Sequence, residues 1–472
     1  MKFSIYNTLE KQKVDLVTEE DGKVKLYTCG PTVYDFAHIG NLRTYVFEDL
    51  LVKSLEYVGY EVKHVMNVTD VGHLESDADT GEDKMLLGAQ RENRTVWEIA
   101  RYYEEQFFID CEKLNIRKPD VISRATEHIQ DMIDLVKVLE EKGYTYISNG
   151  NVYFEIDKFK DYTRLANLTI EELQAGSRVD IDTGKKNPLD FVLWFTNSKF
   201  KNQIMQWNSP WGTGFPGWHL ECSAMAMKYL GEKVDIHCGG VDHIPVHHTN
   251  EIAQSEAALG HKWVNYWMHG EFLVLDSGKM SKSSGDFLTL SKLEENGFKP
   301  IDYRYFCLQS RYRKQLVFSY ESLKEASNAY KSLKKKIKSI ADEAEEIANT
   351  DVYSEKIISY KNEFIRHISN DLNIPNAVTV LWDVLKDAGL SAAEKKYLIA
   401  DFDKVLSLDL LLFEEAAPDN MIEELISSLI AQRNEERKNK NYQKADEIRN
   451  KLLKMNIEIL DTKEGTTWRL KN

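Results

Sequence analysis

The stretch that decides the fold is VKLYTCGPTVYDFAHIGNLRTYVFEDLLVKSLEYVGYEVKHVMNV, residues 24–68. Residues 24–28 alternate as in a strand, and a Cys-Gly-Pro turn follows them. Apolar residues at helical spacing over 41–58 predict a helix that ends near Gly59, and 61–68 predict a second strand. Strand, helix and strand in this order form a βαβ unit, so the sequence predicts an α/β fold with a parallel sheet.

The turn after the first strand is a candidate ligand site. In parallel sheets, ligands bind at the carboxyl ends of strands beside helix amino termini, and His38 and Gly40 fall in that place. An imidazole can donate to a phosphate, and a glycine lets the backbone come close to it. The residues alone leave a second interpretation open, which is a capped loop with a surface histidine.

Length and composition narrow the class of protein. The chain has 472 residues, 42% of them hydrophobic and 29% charged, which predicts several folded domains and excludes a largely disordered chain. No apolar run approaches the roughly 18 residues of a membrane helix, and the first residues lack the apolar core of a signal peptide. The five cysteines are scattered and odd in number, so we expect reduced thiols and a cytoplasmic location.

The charge balance restricts how the chain could bind nucleic acid. Acidic residues number 76 and basic residues 61, a net charge of −15, so any such partner must meet a local basic patch. The best candidate is 433–454, which holds eight basic and four acidic residues. A solvated helix face with internal ion pairs is the alternative interpretation.

The rest of the chain divides by composition. The stretch 112–205 reads as an insertion with an amphipathic helix ending near Gly143 and two strands, and 203–219 reads as an aromatic, glycine-rich loop that lines a site. Helical patterns dominate after about residue 320. The acidic segment 414–420 is typical of a linker, and the last residues predict a hairpin.

Two further motifs could carry chemistry. GKMSKSSGDF (278–287) sets Lys279 and Lys282 in a flexible loop that can close over a triphosphate and neutralise a departing pyrophosphate, although a lone Lys-Ser loop is usually a solvated turn. His247 and Glu251 share one face of a predicted helix. With Cys29 and Cys222 they would suit zinc, but their spacing alone equally allows a surface ion pair.

Taken together, these strings resemble the class I aminoacyl-tRNA synthetases and, within that class, the cysteinyl-tRNA synthetases. The resemblance covers nearly the whole chain. Its strings are CGPTVYD and HIGN near the start, RVDIDTGKKNPLDFVLW (178–194), GWHLECSAM (217–225), DIHCGGVDH (235–243), HHTNEIAQSE (247–256), KMSKS (279–283), KADEIRNKL (444–452) and DTKEGTTWR (461–469). Asn41 stands where the family's signature usually has a second histidine.

The resemblance implies a Rossmann-type catalytic domain followed by a helical bundle and a small anticodon-binding domain. We expect the catalytic domain at 1–111 and 206–320, with the KMSKS loop in its second part. An inserted connective domain would occupy 112–205. The bundle would occupy 321–413, and the anticodon-binding domain 421–472.

The resemblance also implies a ligase that activates L-cysteine with ATP and transfers it to tRNA(Cys). It implies one Zn²⁺ per chain, Mg²⁺ with ATP, and a monomer without membrane attachment. Two alternatives are a cysteine ligase that acts on an aminosugar and an inactive paralogue that only binds tRNA. The family's roles map as follows: metal ligands Cys29, Cys222, His247 and Glu251; cysteine binding by Cys29, Thr69 and Trp218; ATP binding by His38, Gly40, Asn41, His237, Asp242 and Lys282; catalysis by His38, Asn41, Lys279 and Lys282. For Trp218, core packing is the competing interpretation.

Overall fold

The computed structural model divides into two compact units, unit 1 (Met1–Leu411) and unit 2 (Leu412–Asn472). In the part of the chain that the structure describes, no helix has the length and apolar character needed to cross a bilayer. The described residues are 2–72, 84–92, 94–168, 184–196, 204–275, 278–279, 288–344, 354–413, 419–455, 457–462 and 465–470.

The elements of unit 1 alternate between strands and helices before becoming helical. Its strands are β1 (Ser4–Asn7), β2 (Gln12–Asp15), β3 (Lys23–Thr28), β4 (Glu61–Val68), β5 (Val121–Arg124), β6 (Thr145–Ser148), β7 (Asn151–Phe154), β8 (Phe191–Phe195), β9 (Trp207–Ser209), β10 (Gly212–Pro216), β11 (Val234–Gly240), β12 (Val264–Gly270), β13 (Leu273–Leu275), β14 (Gly278–Lys279) and β15 (Leu316–Phe318). Its helices are α1 (Ile39–Tyr57), α2 (Lys84–Glu92), α3 (Val96–Lys113), α4 (Ile129–Glu141), α5 (Trp218–Leu230), α6 (His247–Leu259), α7 (Leu290–Glu295), α8 (Pro300–Leu308), α9 (Tyr320–Glu343), α10 (Glu355–Ile368), α11 (Ile374–Lys386) and α12 (Ala392–Leu406).

The centre of unit 1 is a five-stranded parallel sheet in the order β12-β11-β3-β4-β5. The predicted α/β class and the predicted β3-α1-β4 unit are therefore confirmed. The central strands are buried, as expected for a sheet covered by helices on both faces. Because all five strands run the same way, their carboxyl ends meet at one edge of the sheet.

The turn after β3 is pressed against the end of β4. A Cβ atom at Gly30 would lie 1.7 Å from the backbone oxygen of Asn67, so only glycine fits there. The Asn67 side chain accepts a hydrogen bond from the Gly30 amide at 2.8 Å, and Thr69 donates its amide to the Pro31 carbonyl at 3.0 Å. These contacts hold the Cys-Gly-Pro turn at the edge of the sheet.

Strands between residues 145 and 216 form a second, antiparallel sheet in the order β6-β7-β8-β10-β9, two of whose strands, β9 and β10, lie beyond the predicted insertion 112–205. The parallel sheet extends further along the chain than expected, because β5 pairs with β4 beyond residue 112. The stretch 203–219 also differs from the loop that its composition predicts. Ser209 and Gly212 pair across a two-residue turn, so β9 and β10 form a hairpin that leads into α5.

The helical segment α9–α12 lies in the same compact unit as the parallel sheet. Arg304 on α8 is fully buried and ties several elements together. Its guanidinium donates to Asp49 Oδ2 on α1 at 2.7 Å and to the Leu114 carbonyl at 2.9 Å, while its Nε donates to the Leu406 carbonyl at 2.8 Å. Such a network is costly to break, because removing one partner leaves a buried charge unpaired.

Unit 2 consists of α13 (Asp419–Lys438), α14 (Tyr442–Lys454), β16 (Ile457–Thr462) and β17 (Gly465–Leu470). The two strands pair antiparallel, which confirms the predicted terminal hairpin. Residues 414–418 of the expected linker lie outside the described residues, and α13 has begun by residue 419. The small core of the unit consists of Ile426, Leu429, Ile430, Ile448, Leu452, Ile457 and Ile459, with Trp468 packed against it.

Candidate active site and metal centre

A cavity of about 520 Å³ opens at the carboxyl-terminal edge of the parallel sheet. Its walls come from the turn after β3, the start of α1, the end of β4, the start of α5 and the segment between β11 and α6. The predicted site residues that line it are Cys29, His38, Asn41, Thr69, Trp218, Cys222, Asp242 and His247. The edge of the sheet therefore brings together residues more than 200 positions apart in the chain.

At the base of this cavity lies a cluster of potential metal ligands. Ligand atoms of Cys29, Cys222, His247 and Glu251 all lie within 4.8 Å of one another, and all four residues are buried. Cys29 follows β3, Cys222 lies on α5, and His247 and Glu251 lie one turn apart on α6. Three elements that are distant in sequence thus converge on one point.

Two of the four side chains, Cys222 and Glu251, have pKa values lowered toward the charged forms that suit a metal, whereas burial raises the pKa of Cys29, and Glu251 with Cys222 raises the pKa of His247 to about 10. Burial alone would raise the pKa of the Cys222 thiol, but Cys29 and His247 together lower it to about 6. Burial would also raise the pKa of Glu251, and His237 and His247 lower it to about 2. The cluster therefore favours a thiolate and a carboxylate, which are the charged donors that a divalent cation requires.

One oxygen atom of this donor set also lacks a hydrogen-bond partner among the described residues. Glu251 Oε1 lies 3.0 Å from His247 Nε2 but makes no hydrogen bond of normal geometry within the described chain. A buried carboxylate oxygen without a hydrogen bond is costly unless another group completes its environment. Two thiol groups, an imidazole and a carboxylate match the softness and charge that zinc prefers, so the residues fit this metal.

A second set of donors shares two residues with the first. Cys29, His237, His248 and Glu251 also lie within 4.8 Å of one another. However, His237 and His248 are fully buried and are absent from the cavity wall, whereas Cys222 and His247 line it. The first set therefore presents three of its four residues to the cavity, and the second set presents only Cys29.

The amino terminus of α1 faces the same cavity through His38 and Asn41. His38 is the N-cap, and its Nδ1 accepts a hydrogen bond from the Asn41 amide at 3.0 Å. In return, the Asn41 side chain accepts from the His38 amide at 3.3 Å. Gly40 lies in the first turn of α1 but not in the cavity wall, and a Cβ there would lie 2.9 Å from the His38 ring.

Besides Cys29, the cysteine-binding candidates are Thr69 and Trp218, and both line the cavity. Thr69 is buried and donates its hydroxyl to Glu221 Oε2 at 2.8 Å. Trp218 begins α5, and its ring lies 4.1 Å from the ring of His247, measured between centroids. Trp218 lines the cavity, so the core-packing interpretation does not describe its position.

The remaining predicted residues are placed differently. Asp242 lines the cavity from a short 3₁₀ helix, Val241–His243, but His237 lies beneath it with Nε2 bonded to Glu251 Oε2 at 3.0 Å. Lys279 ends β14, and Lys282 lies outside the described residues. The chain just after the KMSKS segment returns to α1, because the Ile39 amide donates to the Leu288 carbonyl at 2.8 Å.

Comparison with known proteins identifies the family of the chain. Residues 15–328 match the family model for the catalytic domain of class I tRNA synthetases (C). The chain is 46% identical to a cysteine–tRNA ligase of Treponema denticola, with 99% of this chain and 100% of that protein covered. The chain belongs to the cysteine–tRNA ligase family.

Other members of the cysteine–tRNA ligase family match over the same extent. The ligase of Borrelia turicatae is 45% identical over 99% of both chains, and that of Treponema pallidum strain Nichols is 39% identical over 99% of this chain and 100% of its own. Among solved structures, Mycobacterium tuberculosis methionyl-tRNA synthetase in complex with methionyl-adenylate aligns with a TM-score of 0.54 at 14% identity. It covers 82% of this chain and 90% of its own. This last likeness shows the class I fold.

In this cysteine–tRNA ligase family member, sequence reasoning missed the polar groups that surround the cluster. His219 Nδ1 lies 3.0 Å from His247 Nδ1, and His248 Nε2 lies 3.3 Å from the Cys29 sulfur. Glu221 anchors Thr69, and Gln254 donates to the His219 carbonyl at 2.6 Å. One sequence signal was available: histidines recur in GWHLEC and HHTNE, which supply three of the predicted metal ligands, and in DIHCGGVDH.

Proposed function

We propose that this chain activates L-cysteine with ATP and transfers the cysteine to the 3′ end of tRNA(Cys). One observation carries the proposal: a buried cluster of two thiols, an imidazole and a carboxylate opens into the cavity that also holds the amino terminus of α1. Full-length similarity to cysteine–tRNA ligases supports the same activity. Five free cysteines without a disulfide among the described residues agree with a reducing, cytoplasmic setting. We infer that the chain acts as a monomer.

Cys29, Cys222, His247 and Glu251 would hold one Zn²⁺. When bound, zinc would lower the pKa of a substrate thiol and bind the resulting thiolate, which the hydroxyl of serine and the methyl of alanine cannot match. A pocket that relies on size separates such close analogues by only about 10²-fold or less, whereas accurate charging needs roughly 10⁴, or about 5.5 kcal/mol. Three of the four residues, Cys29, Cys222 and His247, lie in the cavity wall, where a bound amino acid can reach them.

In the activation step, the carboxylate of cysteine attacks the α-phosphate of ATP and pyrophosphate leaves. The nucleophile is already an anion, so no general base is needed, and positioning and charge neutralisation dominate. Trp218 and Thr69 would position the amino acid beside Cys29. Asp242 would bind the adenosine, and His237, bonded to Glu251 at 3.0 Å, would act from beneath by fixing that carboxylate.

His38 and Asn41 would bind the phosphates at the start of α1. Because His38 Nδ1 accepts from the Asn41 amide, the proton of a neutral ring resides on Nε2, which makes Nε2 a donor for a phosphate oxygen. The positive end of the α1 dipole and the small Gly40 favour the same anion. Lys279 and Lys282 would neutralise the departing pyrophosphate, and Mg²⁺ would accompany ATP.

Unit 2 would bind the tRNA through its basic helices. Of the eight basic residues in 433–454, Arg433 and Arg437 are paired with Asp461, and Lys444 with Glu436. Exposed basic residues with no ion pair to a described residue are Lys438, Lys440, Arg449, Lys451 and Lys454. Internal ion pairs therefore account for only part of the basic run, and tRNA binding should weaken with salt as phosphate contacts release counterions.

Cysteine-dependent ATP–pyrophosphate exchange tests the proposal. We expect exchange with cysteine and about 10⁴-fold less with serine, with loss after zinc chelation and recovery when zinc is added. A second assay measures charging of a tRNA(Cys) transcript. Exchange without charging would indicate a cysteine ligase for another acceptor, such as an aminosugar, and binding of tRNA without exchange would indicate an inactive paralogue. Either result would overturn the proposed function.

A further inference from the structure

Unit 1 contains a second cavity, larger than the one that holds the candidate active site. It has a volume of about 810 Å³ and lies between α1, α3 and the strands β4 and β5. This volume falls within the roughly 300–1,000 Å³ of typical small-molecule sites. Its walls include the aromatic side chains of Tyr45, Phe107 and Phe108, together with Val52 and Met66. None of the roles assigned above uses this cavity.

One ionisable group in the wall of this second cavity has no hydrogen-bond partner among the described residues. Glu48 on α1 is only 1% exposed, and neither of its carboxylate oxygens has a hydrogen bond within the described residues. Burial raises the pKa of Glu48 well above its ordinary value, and the nearby Thr28 hydroxyl opposes this only in part. That hydroxyl also lies 2.9 Å from His64 Nε2, within hydrogen-bond distance. A buried carboxyl group without partners is unfavourable, so it needs an explanation.

The other buried acids of this cavity are already matched to cations. Asp49 accepts from Lys53 at 2.8 Å and from Arg304 at 2.7 Å. Glu104 forms a hydrogen-bonded pair with Arg124, with a shortest distance of 2.7 Å.

The remaining basic and exposed side chains in the wall of the second cavity form no hydrogen bond or ion pair with Glu48. Arg117, also in the wall, pairs with Asp120 at 2.7 Å, although its Nη1 makes no hydrogen bond to a described residue. Burial lowers the pKa of His64 to about 4, so that ring is neutral. Glu105, Glu112 and Lys118 are exposed.

We propose that the second cavity binds a small organic cation, with an ammonium group against Glu48 and an apolar body between the aromatic side chains. A charge-assisted hydrogen bond to a buried carboxylate is among the stronger polar contacts in proteins. Tyr45 and Phe107 add ring faces that attract a cation. Burial without a counter-ion raises the pKa of Glu48, and a bound ammonium group would supply that counter-ion and favour the carboxylate form.

The site is separate from the candidate active site but adjoins it. Tyr45 and Phe107 line both cavities, and their rings pack edge to face with centroids 4.7 Å apart. This pair of rings is the shared wall. A probe in the second cavity should therefore bind in the presence of cysteine and ATP.

Calorimetric titration of the full chain with 2-phenylethylamine, an ammonium ion at pH 7, tests the proposal. The neutral analogue 2-phenylethanol serves as the ligand control. We expect Glu48→Gln to weaken binding of the amine at least about tenfold, since it keeps the shape and removes the charge. The same substitution at the exposed rim, Glu105→Gln, should change it less than about twofold. Binding of 2-phenylethanol should be weak and equal in all three proteins.

A second variant tests the location independently of the charge. Val52→Phe adds volume from α1 into the cavity and should abolish binding of the amine while leaving Glu48 in place. The proposal is overturned if the amine fails to bind the unaltered protein, if Glu48→Gln and Val52→Phe both bind it normally, or if excess cysteine or ATP displaces it. Displacement would place the probe in the candidate active site instead.

Discussion

Unit 1 and unit 2 treat their charged side chains in opposite ways. Unit 1 buries several charged side chains in its core and candidate site: Arg304 and Asp49 form an ion pair with no exposed surface, and Glu251 is fully buried among histidines. Unit 2 keeps most of its basic residues in solvent, and among those of 433–454 only Arg433 is buried.

The difference matches the two functions assigned to the units, which are activation of an amino acid and binding of a polyanion. Activating an amino acid requires charges that stand in place before the reaction, because fixed groups need no reorganisation as the transition state forms. Binding a polyanion requires charges that stay solvated until the phosphates replace their counterions. We therefore expect changes in unit 1 to act on activation, and changes in unit 2 to act on charging of the tRNA.

Removing unit 2 should have the largest effect. We expect a chain without Leu412–Asn472 to lose at least about a thousandfold in tRNA charging, because phosphate contacts supply much of the affinity for tRNA. ATP–pyrophosphate exchange should change less than about twofold, since the candidate active site lies within unit 1. Parallel assays of exchange and charging check this. Equal charging by the truncated and intact chains would end the assignment of unit 2 to tRNA binding.

The next effect in size concerns the metal ligands. Cys222→Ser should lose stoichiometric zinc and about 10³-fold in cysteine-dependent exchange, because a hydroxyl is a poor substitute for a thiolate ligand. Elemental analysis and exchange assays measure the two effects. Cys307→Ser, a change of another buried cysteine on α8, is the matched control and should retain zinc. Affinity for tRNA should remain unchanged in both variants. A parallel loss of tRNA binding would contradict the assignment of activation to unit 1 and of tRNA binding to unit 2.

A smaller effect is expected for Lys282→Ala. A lysine that acts on the departing pyrophosphate works in the transition state, so kcat for exchange should fall about 10²-fold while the KM for cysteine stays within about twofold. Lys292→Ala is the control, since Lys292 is exposed and paired with Glu295 at 2.8 Å. A rise in KM with kcat intact would contradict the assigned role.

The smallest effect tests unit 2 alone. Asp461 accepts from Arg433 at 2.9 and 2.7 Å, and also from Arg437 and Thr466. We expect Asp461→Asn to lower the free energy of local unfolding of unit 2 by about 1 kcal/mol. The effect is small because Asp461 is about half exposed and solvent screens the ion pair. Hydrogen exchange of β16 and β17, followed by mass spectrometry, should accelerate about fivefold, with no change in β3 or β11. Faster exchange in the central sheet as well would show that the pair also stabilises unit 1.

The pH dependence of the same pair has a defined sign. Hydrogen bonds from Arg433, with those from Thr466 and Arg437, lower the pKa of Asp461 below its ordinary value of 3.8. A carboxyl group whose pKa is lower in the folded state stabilises that state above its unfolded pKa. The contribution is lost as the pH falls. Protection of the β16 and β17 backbone amides against hydrogen exchange should therefore decline below about pH 4 in the unaltered chain. It should decline much less in the Asp461→Asn variant.

Local patterns in the sequence were sufficient for the elements near the site. The apolar spacing over 24–68 predicted β3, α1 and β4 within one or two residues of their observed bounds, and the terminal hairpin followed from its turn. The prediction of a loop over 203–219 is wrong because its glycines and two prolines are turn residues by local preference. Pairing of β10 with β8 and β9 overrides that local tendency.

The sequence by itself determined the α/β class and, through its strings, the family and the residue types that could bind a metal. It could not decide that α5 and α6 converge on the turn after β3, since that depends on the order β12-β11-β3-β4-β5 and its register. Nor could it separate the two donor sets that share Cys29 and Glu251, because only the cavity wall distinguishes them. Glu48 is an ordinary helix residue in FEDLL, and only packing of α3 and β4 around α1 leaves its carboxyl group buried without a partner. Burial is a property of the whole fold, and contacts between distant segments are set by the packing of the sheet and its helices rather than by any local stretch of sequence.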